Sequence, residues 1–228
     1  MALDLARVRA LCFDVDGTLS DTDDLWVRRF AAMFEPFRIF FPHRQVEPFA
    51  RWVVMGIETP GNLVYSLLDR LHLDDEAARL INALSRWRKA SRHHSFLLIP
   101  GVEHMLERLH GRFPLAVVSA RDEASTLAFL EQFDLRRYFS SIVSAQSCAY
   151  TKPFPHPVRK AAEELGVPAS ACLMIGDTTV DLRAGQAAGA QTVGVLCGFG
   201  RRGELERHQA DLVLENTAFL ADLLLGTE

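Results

Sequence analysis

From residue 97 onward, short apolar runs alternate with stretches of helical spacing along this chain. The runs cover 115–119, 141–144, 171–175, 192–196 and 211–214, and a further one covers 10–14. Runs of this length, rich in Val, Ile, Leu and Ala, suit strands buried on both faces. Between them, 102–110, 123–133, 157–165 and 179–188 repeat apolar residues at helical spacing, with Gly111, Gly166 and Gly189 placed as C-terminal stops. Strand and helix in alternation predict βαβ units, hence an α/β core built on a doubly wound parallel sheet. Residues 21–96 break the rhythm: helix-like stretches fall near 23–34, 44–54, 60–71 and 74–90, with no strand pattern. The chain therefore divides into a core of 1–20 and 97–228 and an inserted α-helical domain of 21–96. Its two connections, Ser20 to Asp24 and Phe96 to Gly101, are turn-rich and run side by side, as a hinge would.

Polar residues interrupt this pattern at the ends of the apolar runs, which is where open α/β sheets gather ligands. The segment CFDVDGTL, 12–19, carries Asp14 and Asp16 one residue apart, and strand alternation aims both at one side. Burying two carboxylates together calls for a cation or a bound proton. Ser119 closes PLAVVS, where a hydroxyl and the following backbone N–H groups can meet an anionic oxygen. Lys152 sits in TKPFPHP, its approach restricted by three prolines. Asp177 and Asp181, in GDTTVD, lie one helical turn apart. Taken singly, each has an ordinary role: a turn carboxylate, a helix cap, a solvated charge, a partner of the helix dipole.

Composition narrows the partners. About half of the 228 residues are hydrophobic and the net charge is −4, without a basic block, so nucleic acid and anionic membrane are poor partners and a small polar substrate is a better one. Cysteines 12, 148, 172 and 197 have no CxxC spacing and lie largely in apolar runs, which predicts buried thiols in a reducing compartment. No secretory leader pattern and no run of about 18 apolar residues is found, so a cytoplasmic location is expected. Among 25 basic residues only three are lysines, at 89, 152 and 160. A lysine at 152 in so arginine-rich a chain points to a need for a compact ammonium. GFGRRG, 198–203, satisfies GxGxxG but follows a late strand, so a turn beside the site is expected rather than a dinucleotide cradle. His93, His94 and His156 lack metal-ligand spacing.

The ordered set DVDGTL, a lone Ser, KPxP and GDxxxD resembles the haloacid dehalogenase-like hydrolase superfamily, in particular its Mg²⁺-dependent phosphatases with a helical cap inserted after the first strand. The resemblance spans the whole chain, and Pro100-Gly101-Val102, re-entering the core, is similar to phosphoglycolate phosphatase relatives. It implies a Rossmann-like core with a cap, and a phosphatase of small phosphorylated metabolites. Asp14 would be the nucleophile that becomes an aspartyl-phosphate, and Asp16 the general acid and base. Ser119 and Lys152 would hold the transferring phosphoryl group. Asp14, the backbone carbonyl of Asp16, and Asp177 would ligate Mg²⁺, with Asp181 close to the metal or joined to it through water, and Thr18 in support. Phosphoryl transfer itself asks for such parts: an in-line nucleophile, neutralised equatorial oxygens and a proton for the leaving group.

The chain departs from many relatives after Ser119, where Ala120 and Arg121 replace Asn and a basic residue. Dehalogenases of the superfamily lack the second aspartate, so Asp16 favours phosphate chemistry. A phosphosugar mutase or another phosphotransferase stays open, as does a non-catalytic phosphate-binding regulatory module. Neither the nucleophile nor a metal ligand is lost, which favours catalysis. Specificity is expected from the cap, with MGIETPGN, 55–62, as its best loop: Met55, Gly56 and Glu58 are the candidates, Glu58 disfavouring a second anionic group. Monomer and homodimer are equally compatible with the sequence.

Overall fold

A computed structural model of the protein describes residues 3–21, 34, 46 and 96–226. Six strands form one sheet: β1 (Ala10–Phe13), β2 (Leu115–Val118), β3 (Ser141–Val143), β4 (Cys172–Gly176), β5 (Gln191–Val195) and β6 (Leu212–Leu214). They lie in the order β3-β2-β1-β4-β5-β6, and every neighbouring pair is parallel. The α/β reading of the sequence, a doubly wound parallel sheet, is therefore what the core adopts. Chain order reverses at β1, which has β2 on one side and β4 on the other, and such a switch opens a crevice at the strands' carboxyl ends.

Among the described residues, six α-helices connect or cover the strands: α1 (Val102–His110), α2 (Glu123–Gln132), α3 (His156–Glu164), α4 (Thr179–Ala188), α5 (Arg202–Arg207) and α6 (Leu220–Leu225). The two faces of the sheet differ in bulk because strand side chains alternate. Leu11, Phe13, Leu115, Val117, Leu173 and Ile175 face α1, α2 and α6, whereas Ala10, Cys12, Ala116, Cys172 and Met174 face α3 and α4. Small side chains let the second pair of helices approach closely. At Gly185 of α4 a Cβ would stand 2.9 Å from the Met174 Cβ, so only glycine fits.

The strands at 10–14, 115–119 and 141–144 each stop one residue early, leaving Asp14, Ser119 and Ser144 just beyond the ladder. Helices α5 and α6 were not signalled by the sequence pattern. Each has six residues and no side-chain cap, too short for a periodicity to register. By its contacts the chain divides into one unit of Met1–Asp21 with His94–Glu228 and another of Thr22–His93. The connections entering and leaving the second run antiparallel, with the Asp21 N–H donating to the Leu97 carbonyl at 2.9 Å. Apart from Phe34, which is helical, and Val46, the helical stretches expected in 21–96 lie outside the described residues, as do Lys89, His93, His94 and the loop of Met55, Gly56 and Glu58. Among the described residues, no helix is long and apolar enough to cross a membrane.

Candidate active site

At the end of β1 the backbone makes one more ladder bond, Asp14 N–H to the Ile175 carbonyl at 2.9 Å, and then turns sharply. The Leu19 and Ser20 N–H groups both donate to the Val15 carbonyl, and Gly17 takes a left-handed φ of 71°. Because the strand stops at Phe13, its alternation does not carry through to Asp16. The two aspartates therefore find different cations. Asp14 is buried against Lys152, while Asp16, with 34% of its side chain exposed, is gripped by both arms of Arg121. Arg121 Nε donates to Asp16 Oδ2 at 2.6 Å and Nη2 donates to Oδ1.

Lys152 is the buried hub. Its ammonium donates to Asp14 Oδ1 at 2.5 Å and to Asp181 Oδ1 at 2.6 Å, with only 3% of the side chain exposed. Burial alone would lower its pKa, but Asp14 and Asp181 outweigh that and raise it above the ordinary lysine value. Burial pushes Asp14 up from 3.8 to about 7; Lys152 opposes this, while Asp181 and Asp16 add to it. Asp181 has both oxygens engaged. Oδ1 holds Lys152, and Oδ2 accepts from Thr178 N–H at 3.1 Å and Thr178 Oγ1 at 2.7 Å, the reciprocal cap that opens α4.

Asp177, fully buried, follows β4 directly, and the turn after β5 encloses it. The Phe199 N–H donates to its Oδ2 at 2.8 Å. Around that oxygen only glycine fits: a Cβ at Gly17 would lie 2.2 Å from Asp177 Oδ2 and one at Gly198 2.3 Å from it. The first part of GFGRRG is thus a turn beside the site, as expected, while Arg202 and Gly203 open α5. Asp177 Oδ1 is buried without a hydrogen-bond partner. Asp14, Asp177 and Asp181 offer ligand oxygens that all lie within 4.8 Å of one another. A buried, unpartnered carboxylate oxygen among hard donors fits a divalent cation of the magnesium class. Burial, with Asp181 and Asp14 next, holds the Asp177 carboxyl well above the usual carboxylate range, and a cation there would reverse this.

Ser119 is buried, its Oγ accepting from the Arg121 N–H at 3.1 Å and keeping its own hydrogen to donate. Thr18 is fully buried; its carbonyl accepts from Thr217 Oγ1 at 2.7 Å, which ties the DGTL turn to the C-terminal segment. Of the expected residues, Asp14, Lys152, Asp177 and Asp181 are gathered at the end of β1 and β4, Asp16 and Ser119 are both bonded to Arg121, and Thr18 lies in the DGTL turn with Asp16. Sequence reasoning missed three partners: Arg121 for Asp16, Thr178 for Asp181 and the Phe199 amide for Asp177. Thr178-x-x-Asp181 does match the capping-box pattern, so that contact had a signal; a backbone amide has none. His156 opens α3 exposed to solvent, with its ring 5.0 Å from that of Tyr150.

The haloacid dehalogenase-like hydrolase family model matches residues 11–195. A phosphoglycolate phosphatase of Neisseria gonorrhoeae is 34% identical over 205 residues, spanning 86% of this chain and 83% of that protein. The pyrophosphatase PpaX of Halalkalibacterium halodurans is 29% identical over 224 residues, 96% of this chain and 97% of that protein. Among solved structures, a hydrolase from Pseudomonas syringae aligns with a TM-score of 0.63 at 24% identity, covering 94% and 97% of the two chains, and shares the fold. With DVDGTL at the switch point of a parallel sheet and the family match running from its first strand to its fifth, the chain belongs to the haloacid dehalogenase-like hydrolases.

Proposed function

We propose that this hydrolase is a Mg²⁺-dependent phosphatase that cleaves a small phosphomonoester through an aspartyl-phosphate on Asp14. The observation that carries this is the setting of Asp14: a buried carboxylate tied by one oxygen to Lys152, beside the unpartnered oxygen of Asp177, at the sheet's switch point. Asp14 attacks phosphorus in line as the ester oxygen leaves. Lys152 and Ser119 hold the equatorial oxygens; the fixed ammonium offsets the charge that the phosphoryl group brings among three carboxylates. Asp16 gives its proton to the departing oxygen and then takes one from the water that cleaves the acyl phosphate. Asp14, Asp177 and the Asp16 carbonyl are the groups that would hold Mg²⁺, which would supply charge neutralisation for the phosphoryl group. Asp181 acts through Lys152.

Hydrolysis of p-nitrophenyl phosphate tests this directly. Activity should vanish with a chelator and in Asp14→Asn. Asp16→Asn should still carry phosphate on Asp14, seen as an added mass in the rapidly denatured protein, while turning over poorly. Activity that survives Asp14→Asn would reject the mechanism.

The names of the two relatives motivate the choice of substrates: 2-phosphoglycolate and inorganic pyrophosphate belong in the same panel as sugar phosphates. Conversion of a phosphosugar to its isomer without phosphate release would favour a mutase, and phosphate binding without turnover a regulatory module. Glu58 is proposed to select against a second anionic group; if Glu58→Ala left the ranking of mono- and dianionic substrates unchanged, it would have no such role.

A further inference from the structure

Arg121 stands two residues beyond Ser119, in the turn between β2 and α2, and its backbone is held on both sides. Its N–H donates to Ser119 Oγ at 3.1 Å and its carbonyl accepts from the Ala145 N–H at 2.8 Å. The guanidinium carbon lies 5.1 Å from the centre of the buried Phe96 ring, so the plane of the fork is supported from one face. That fork takes both oxygens of Asp16, Nε on Oδ2 at 2.6 Å and Nη2 on Oδ1. Only 16% of the Arg121 side chain is exposed, against 34% of that of Asp16. The arginine is the fixed member of the pair and the aspartate the one that reaches outward.

A carboxylate on a turn has a broad terminal torsion, and a bidentate fork removes that freedom. We propose that Arg121 is a positioning residue for the first chemical step: it sets the plane of the Asp16 carboxyl, so that its proton is aimed at the leaving oxygen. This holds only with Asp16 as the proton donor proposed above. In that step the bond from phosphorus to the leaving oxygen breaks, the bond from phosphorus to an Asp14 oxygen forms, and the Asp16 proton moves to the leaving oxygen. Lysine, a point charge on a flexible stem, would supply the cation without the plane.

Substrates that differ in their need for a proton report this role. Phenyl phosphate has a more basic leaving group than p-nitrophenyl phosphate, whose leaving group departs with little help. In Arg121→Ala, kcat/KM should fall about 10- to 100-fold for phenyl phosphate and only a few-fold for p-nitrophenyl phosphate, with KM for both little changed. Arg121→Lys and Arg121→Gln, less disruptive to the turn, should keep the same selectivity, with lysine restoring only a minor part of the rate. Adding Arg121→Ala to Asp16→Asn should cost no more than about twofold beyond Asp16→Asn alone, because the two residues act as one unit. Equal losses on both substrates, full rescue by lysine, or additive losses in the double variant would each overturn the proposal. Failure of the underlying mechanism is distinguishable in kcat/KM, which reports the phosphorylation step alone: Asp16→Asn itself would then lose it equally on both substrates. Selective loss in Asp16→Asn, without it in the Arg121 variants, rejects only the role of Arg121.

Discussion

Lys152 shows how much one buried charge organises. Removing it would leave Asp14 and Asp181 facing each other, both almost fully buried, and breaking a buried pair in this way costs about 3–5 kcal/mol. Lys152→Met should therefore lower the urea midpoint sharply at pH 8 without Mg²⁺. The loss should shrink at pH 5. A carboxyl whose folded pKa lies above its unfolded one contributes stability that is complete below the unfolded value and lost as pH rises through the folded value. Asp14 already stands at about 7 with Lys152 beside it, and losing the cation moves it further up. Equal destabilisation at pH 5 and pH 8 would count against this. At this scale the sequence was legible in kind: Asp14, Lys152 and Asp177 drew notice as carboxylates and a rare lysine at strand ends. Which carboxylate met which cation was not legible, and Arg121 drew notice only as a departure from a pattern.

Among the elements, the turn after β5 matters most to the site, and it does its work through what it lacks. Gly198 permits contact with Asp177 Oδ2 and with the Gly17 carbonyl, where a Cβ would sit 2.3 and 2.5 Å away. Gly198→Ala should displace Asp177 and weaken Mg²⁺ binding about 10-fold or more, as changes behind a metal ligand commonly do, measured by calorimetry on the folded protein. An unchanged affinity would mean that the turn tolerates the methyl and does not hold the ligand. Thr217 is the second brace. Its hydroxyl, fully buried, donates to the Thr18 carbonyl at 2.7 Å, so Thr217→Val should cost about 1–3 kcal/mol in unfolding, with the DGTL turn left one donor short. Long helices and buried strands of this core were readable from period and turn residues. Helices α5 and α6 were not, because six residues form a helix only when packing supports them.

For the molecule as a whole, the sheet's switch point gathers acids that are costly together until a cation joins them. Metal binding must release protons from carboxyls held high, so Mg²⁺ affinity should rise with pH through about 7, where Asp14 ionises. Correspondingly, the rise in melting temperature that saturating Mg²⁺ produces over a chelator should be larger at pH 8 than at pH 5.5. A pH-independent increment would place the metal away from Asp14. The residue types, their order and the strand-helix rhythm follow from the sequence by itself, because period, turns and caps are local and a parallel sheet tolerates few chain paths. Pairing was decided only by the tertiary structure. Lys152 and Asp14 are 138 positions apart and Arg121 and Asp16 are 105, and which cation a carboxylate meets depends on where each strand stops, which packing and not spacing determines.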